Sequence, residues 1–212
     1  MQFKSFIAQK TKVVVAGLFM MVFLVTPCLA ENFIFIKKQN GIRLYERELF
    51  YQDKKVREVK AEFLLNAKPE DVVRLIKDEK RISSWNKRID KYQIVKGAQP
   101  STWMAYTRFD LPFPFDDQET LLLYSISEMQ QESWNIQFSS ITSKAFPQTR
   151  SVSRVNHVKG SWLLENAGDN QLKITYRILS ERKDEIPKVI SDPIIRDNLL
   201  SSLYRMKTIL EN

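Results

Sequence analysis

The 212-residue chain carries 33 Lys and Arg against 25 Asp and Glu, with one His and one Cys. A single cysteine excludes an intrachain disulfide and a lone imidazole excludes a histidine-rich metal centre. The basic residues are dispersed in short pairs such as Lys54-Lys55 and Lys87-Arg88, which excludes the continuous basic stripe of a nucleic-acid binder.

Residues 1–30 hold no acidic residue. Lys4, Lys10 and Lys12 precede an apolar run from Val13 to Val25 that only Gly17 interrupts, and Pro27 ends it. Cys28-Leu29-Ala30 then sets small residues at −3 and −1 of a cut before Glu31. This order of parts predicts a cleaved secretory leader over residues 1–30, and so export to the periplasm or the medium. As a helix the apolar run would rise about 20 Å, short of the ~30 Å hydrocarbon core that an anchor must cross. Cleavage removes three basic residues and no acid, so the remaining chain carries 30 − 25 = +5. Residues 31–212 are read as one continuous domain, without repeats or low-complexity linkers, stabilised by its core alone.

Strand signals open that domain. Ile42 to Phe50 alternates apolar and charged residues, and Val56 to Leu65 does the same, with Val59, Ala61 and Phe63 on one face. The period then changes. Lys68-Pro69-Glu70-Asp71 marks a helix start, with Pro suited to the first turn and acids favoured by the helix dipole. Val72, Val73, Leu75 and Ile76 form its apolar stripe, and it fades near Ser83-Ser84-Trp85. Further strands are expected at 91–96, 101–109, 120–127, 134–140, 150–158, 161–165 and 172–179. Gly97/Pro100, Pro112/Pro114, Pro147, Gly160 and Gly168-Asp169-Asn170 separate them. The chain closes with a long helix opened by Pro187, with a break expected near Asp192-Pro193. Ile195, Leu199, Leu203, Met206 and Leu210 share one of its faces. The order β-β-α-β(many)-α reads as an α+β protein of helix-grip type, a curved antiparallel sheet wrapped around a long C-terminal helix, with a short helix after the second strand.

These elements carry residues that resemble the START domain family (the StAR-related lipid-transfer fold), within the wider group that includes Bet v 1-like proteins and polyketide cyclases. The similarity covers about residues 40–211. Asn40-Gly41-Ile42-Arg43-Leu44-Tyr45 is similar to the family's opening strand, and Lys68-Pro69-Glu70-Asp71-Val72 leading to Asp78 and Trp85-Asn86 to its first helix. Leu111-Pro112-Phe113-Pro114 through Glu119 stands at its Pro-rich turn. Arg154, Gly160, Ser161 and Trp162 resemble its later strands, and Thr175-Tyr176 with Glu185-Ile186-Pro187 its approach to the last helix. Two departures stand out: Gln118-Glu119 replaces the usual Arg-Asp, and Asp184-Glu185 a frequent Gly. The resemblance implies a hydrophobic tunnel between sheet and last helix that holds a lipid or other hydrophobic small molecule.

Chemistry-bearing motifs are scarce. The chain has no G-x-S-x-G, Gly-rich phosphate loop, H-E-x-x-H or C-x-x-C, so no catalytic residue, metal or cofactor is assigned. His157 is read as a strand-end or turn residue, and Asp116-Asp117 with Glu119 as solvated acids. The aromatics say more. A concave sheet facing one helix needs large side chains, or a ligand, to fill its middle. The ligand-binding candidates are Met104, Tyr106, Arg108, Phe138, Arg154, Trp162, Tyr176, Leu199 and Leu203. A period of two puts Met104, Tyr106 and Arg108 on one face; the opposite phase would turn Trp103, Ala105, Thr107 and Phe109 inward. Arg108 and Arg154 are either headgroup partners for a carboxylate or phosphate, or strand charges paired with Glu119 or Glu128. The functional expectation is a monomeric, non-enzymatic lipid-binding or lipid-carrier protein that makes transient membrane contact and binds no nucleic acid. The rivals are a cyclase- or hydrolase-like enzyme acting in the same cavity, and a partner-binding module with a collapsed one.

Overall fold

In a computed structural model, residues 32–51, 54–129, 133–181 and 187–212 are described. The expected leader and its cleavage site fall outside these residues, as does Asp184-Glu185.

Nine strands form one antiparallel sheet, and a tenth two-residue strand flanks it. A strand the periodicity does not announce, β1 (Ile34–Gln39), pairs with β2 (Ile42–Tyr51). The turn between them is Asn40-Gly41, both at positive φ (51° and 80°), the backbone that a two-residue hairpin needs and that Asn and Gly supply at least cost. The third strand, β3 (Lys54–Leu65), completes the hairpin. Two short helices follow, α1 (Pro69–Ile76) and α2 (Ile82–Trp85). Pro69 sits in the first turn of α1, and the Asp71 carboxylate accepts from the Lys68 amide.

The meander then runs β4 (Ile89–Lys96), β5 (Thr102–Phe109), β6 (Gln118–Met129) and β7 (Ser133–Ser140). After it come the short β8 (Ser153–Arg154), β9 (Lys159–Asn166), β10 (Leu172–Glu181) and the helix α3 (Lys188–Glu211). The expected strand over 150–158 shrinks to β8, which pairs in parallel with the start of β6. The order across the sheet is β1-β2-β3-β10-β9-β7-β6-β5-β4, so the last strand joins the N-terminal hairpin to the meander. Gly160 permits a close approach: a Cβ there would strike the Phe138 ring and the Arg177 carbonyl.

The sheet's core face carries Ile42, Leu44, Ala61, Phe63, Trp103, Ala105, Ile136, Leu164 and Ile174, covered by α1, α2 and α3. Helix α3 runs through Pro193 without the expected break. Leu200, Leu203 and Met206 are buried, Leu199 and Leu210 pack half-buried against the core, and Ile195 lies exposed. The buried stripe is therefore rotated toward Leu200 and confined to the second half of the helix. The first half is held by charge. Arg196 grips the Glu46 carboxylate with two hydrogen bonds (2.8 and 2.7 Å). Arg57 pairs with the same carboxylate and with Asp192 (3.3 Å). Burial raises the proton affinity of Glu46, but the bonds from Arg196 and Arg57 outweigh it and hold its pKa below the ordinary value. At the far end Lys207 donates to the Leu64 carbonyl, and the Asn66 amide donates to Glu211.

Candidate functional site

The two faces of the sheet differ in chemistry, and the strand phase decides which residues meet on each. On β5, Trp103, Ala105 and Thr107 point to the core side. Met104, Tyr106 and Arg108 share the opposite, outer face. Sequence reasoning grouped these three correctly by period but placed them inward; the structure realises the other phase. Arg108 is spent on Asp90, which takes two bonds from its Nε (3.0 and 2.8 Å) and a further one from Nη2.

Tyr106 belongs to a small outer cluster. The segment between β7 and β9 folds over it and stacks Phe146 on its ring, with centroids 5.7 Å apart. Beneath lies Glu119, 0% exposed. Its carboxylate accepts from the Tyr106 hydroxyl (2.7 Å), the Thr149 hydroxyl (2.6 Å), the Thr149 amide (2.9 Å) and Arg154 Nε (2.9 Å). Burial pushes the carboxyl up. The bonds from Thr149, Tyr106 and Arg154 more than offset this and bring it down to about 2. Arg154 also donates to the carbonyls of Phe146 and Pro147 (3.2 Å each). Glu119 and Arg154 thus pin a long segment to the sheet, and neither expected arginine faces the core.

The core side holds the other candidates. An aromatic row crosses the sheet there. Trp103 stacks on Tyr124 (4.9 Å), Tyr124 meets Phe138 (5.2 Å), Phe138 reaches over Gly160 to Tyr176 (6.3 Å), and Tyr176 meets Trp162 (4.3 Å). Phe138, Trp162 and Tyr176, singled out from the sequence, stand together in this row, and Leu199 and Leu203 lie on the helix that covers the face. Trp103, which the opposite phase of β5 turns inward, and Tyr124, which is not among the ligand-binding candidates, complete the row. The signal that finds them is the register Trp103↔Tyr124↔Phe138 across three neighbouring strands.

Polar atoms on this side go unmatched. The indole N–H groups of Trp85 and Trp103 and the hydroxyls of Thr120 and Ser202 are buried, with no hydrogen-bond partner among the described residues. The Tyr124 and Tyr176 hydroxyls likewise make no hydrogen bond among those residues. Burial pushes both phenols well above their ordinary range, and the neighbouring Tyr124 adds to the effect on Tyr176. Tyr92, beside them, donates to the Ile76 carbonyl (2.9 Å). The Lys77 ammonium lies 4.2 Å from the centre of the Trp103 ring, and burial lowers its pKa.

Large apolar side chains also gather at one end of the strands. Strand pairing brings the β2–β3 connection, the β5–β6 connection and the C-terminus of β10 to the same end. Phe50 there is 77% exposed, Phe113 94% and Val189, in the first turn of α3, 81%. No helix among the described residues is long and apolar enough to cross a membrane.

A curved antiparallel sheet closed by a C-terminal helix, with an aromatic inner face, defines a helix-grip protein. The START domain profile matches residues 35–212, and the chain belongs to that family, whose fold is a lipid-binding one. Its fold is that of a STAR-related lipid transfer protein from Xanthomonas axonopodis, with 18% identity and a TM-score of 0.73 over 85% of this chain and 99% of that one. Human StAR-related lipid transfer protein 5 is equally close in fold, with 10% identity and a TM-score of 0.73 over 85% and 87%. The Zhui aromatase/cyclase of Streptomyces is more distant, with 9% identity and a TM-score of 0.52 over 74% and 94%. An uncharacterised Pseudomonas aeruginosa protein shares 20% identity over 86% of this chain and 89% of its own length.

Proposed function

We propose that this protein is an exported, non-enzymatic lipid carrier that holds its ligand between the aromatic row and helix α3. The observation that carries the reading is the row itself: five aromatic rings in sequence on the face that α3 covers. A lipid tail in water costs roughly 0.8 kcal/mol per exposed methylene, so a carrier must offer a dry face of this kind. The lipid-transfer proteins of like fold from Xanthomonas axonopodis and human support the same reading. The phenols on this face favour a carrier over a catalyst, because burial drives them away from the pKa range in which a side chain exchanges protons near neutrality.

The exposed Phe50, Phe113 and Val189 are the membrane contact of this carrier. The leader-like residues 1–30 support export to the periplasm or the medium. Native mass spectrometry of protein purified from its own compartment, followed by organic extraction, tests the reading. A stoichiometric lipid adduct is expected; a protein that carries no lipid and takes none up from vesicles overturns it.

A further inference from the structure

The unmatched polar atoms on the core face point to the chemistry of the ligand. Each buried N–H or O–H without a partner opposes folding, and native proteins keep such groups where something else completes them. Here they converge. Trp103, Trp85 and Ser202 carry such groups, the last two from the helices that cover the face. The half-buried Tyr124 stacks on Trp103 and Tyr176 lies one ring beyond Phe138, and their hydroxyls add two donors that make no hydrogen bond among the described residues. Indole groups only donate, and phenol and serine hydroxyls donate as readily as they accept. The complement to this set is an array of acceptors.

Charge is arranged differently. Arg57 and Arg196 on this side are held by Glu46 and Asp192, while Arg108 and Arg154 lie on the outer face, held by Asp90 and Glu119. Lys77 rests on the Trp103 ring, and burial already disfavours its charge. On this side two guanidinium groups are thus matched by two carboxylates, with Arg57 Nε left unbonded among the described residues, so an incoming headgroup meets hydrogen-bond donors but no net positive charge from the arginines.

We propose that the ligand is an uncharged lipid whose polar end carries hydrogen-bond-accepting oxygens, of the kind found in the ester carbonyls of a neutral glyceride, seated on the Tyr124 and Tyr176 hydroxyls and the Trp103 indole. This rests on the lipid-carrier reading and narrows it. The row of flat rings receives the hydrocarbon, and the donors orient the oxygens.

The test is displacement of a pyrene-labelled alkane from the mature protein by dioctanoylglycerol and by the phosphatidic acid with the same chains. It compares wild type with the Tyr124→Phe/Tyr176→Phe double variant and with Lys77→Met. The diglyceride should bind at least tenfold more tightly than the phosphatidic acid. The double variant should lose about tenfold for the diglyceride and less than twofold for the alkane, because hydrogen bonds are lost and apolar contact is kept. Without ligand it should melt no lower than wild type, since the hydroxyls removed have no partners. Tighter binding of the phosphatidic acid, abolished by Lys77→Met, overturns the proposal in favour of an anionic ligand. So does a double variant that binds the diglyceride as wild type does. If neither the alkane nor either lipid binds, the carrier reading falls and this proposal with it.

Discussion

The Glu119 cluster offers the sharpest quantitative test of how the outer face is held. Replacing Glu119 with Gln removes the charge that Arg154, Tyr106 and Thr149 converge on. A carboxyl drawn from its ordinary 4.5 to about 2 contributes about 3 kcal/mol of stability at neutral pH, at about 1.4 kcal/mol per pH unit. An independent route gives a similar size: taking one partner from a buried ion pair costs about 3–5 kcal/mol, and Gln recovers part of that as a neutral acceptor. At about 2–4 °C per kcal/mol for a domain of this length, Glu119→Gln should melt about 6–12 °C below wild type at pH 7. The sign with pH follows. The folded-state pKa is depressed, so the contribution is complete above about pH 5 and is lost as pH falls through 4.5 toward 2. Urea unfolding of both proteins at pH 7, 5, 4 and 3 should show the gap narrowing over the last two steps. A variant as stable as wild type at pH 7, or a gap that stays constant down to pH 3, would refute the reasoning.

Other perturbations separate the remaining parts of the structure. Leu203→Asp, which buries an unpaired charge under α3, should cost about 4 kcal/mol or more, whereas Tyr204→Asp on the exposed side should stay within about 0.5 kcal/mol by chemical denaturation. Gly160→Ala should lose about 1–3 kcal/mol, because its methyl group meets the Phe138 ring and the Arg177 carbonyl; an unchanged melting temperature would contradict that packing. Phe113→Ser should leave the melt untouched and weaken partitioning onto anionic vesicles, measured by co-sedimentation. Intact mass of the protein recovered from the periplasm or the medium should begin at or near Glu31, and a species retaining Met1 would contradict the leader.

Where one face of an element was apolar and the other polar, its period could be read. The first hairpin, α1 and most of the meander follow that rule, with β2 and β3 placed almost to the residue. The rule fails where both faces are covered. On β5, Trp103 and Ala105 face the core, but Tyr106 is also buried, under the segment that carries Phe146 and Thr149, so alternation gave no direction. The strand expected over 150–158 shortened for a related reason: only Ser153 and Arg154 pair with β6, and the Arg154 side chain is held by Glu119 and by two carbonyls. Helix α3 misled in its first half, where Arg57, Asp192 and Arg196 do what leucines do further along, and a count of apolar spacing passes over ion pairs. Phe138, Trp162 and Tyr176 were legible because large aromatics on successive strands of a concave sheet have few places to go. Trp103 and Tyr124 needed the register.

The position of β10 has a consequence for the order of assembly. The meander from β4 to β10 is built almost wholly from neighbours in the chain, and the hairpin β1–β3 is built the same way. Between them lies one seam, in which Val56 pairs with Glu181, 181 − 56 = 125 positions later. Loop closure over such a distance is slow, so the hairpin must wait for nearly the whole chain before its third strand finds a partner. Until then β3 presents an open edge to any passing strand. A chain that crosses a membrane unfolded and N-terminus first meets that interval with its hairpin already delivered, and any truncation before Leu172 would make the wait permanent.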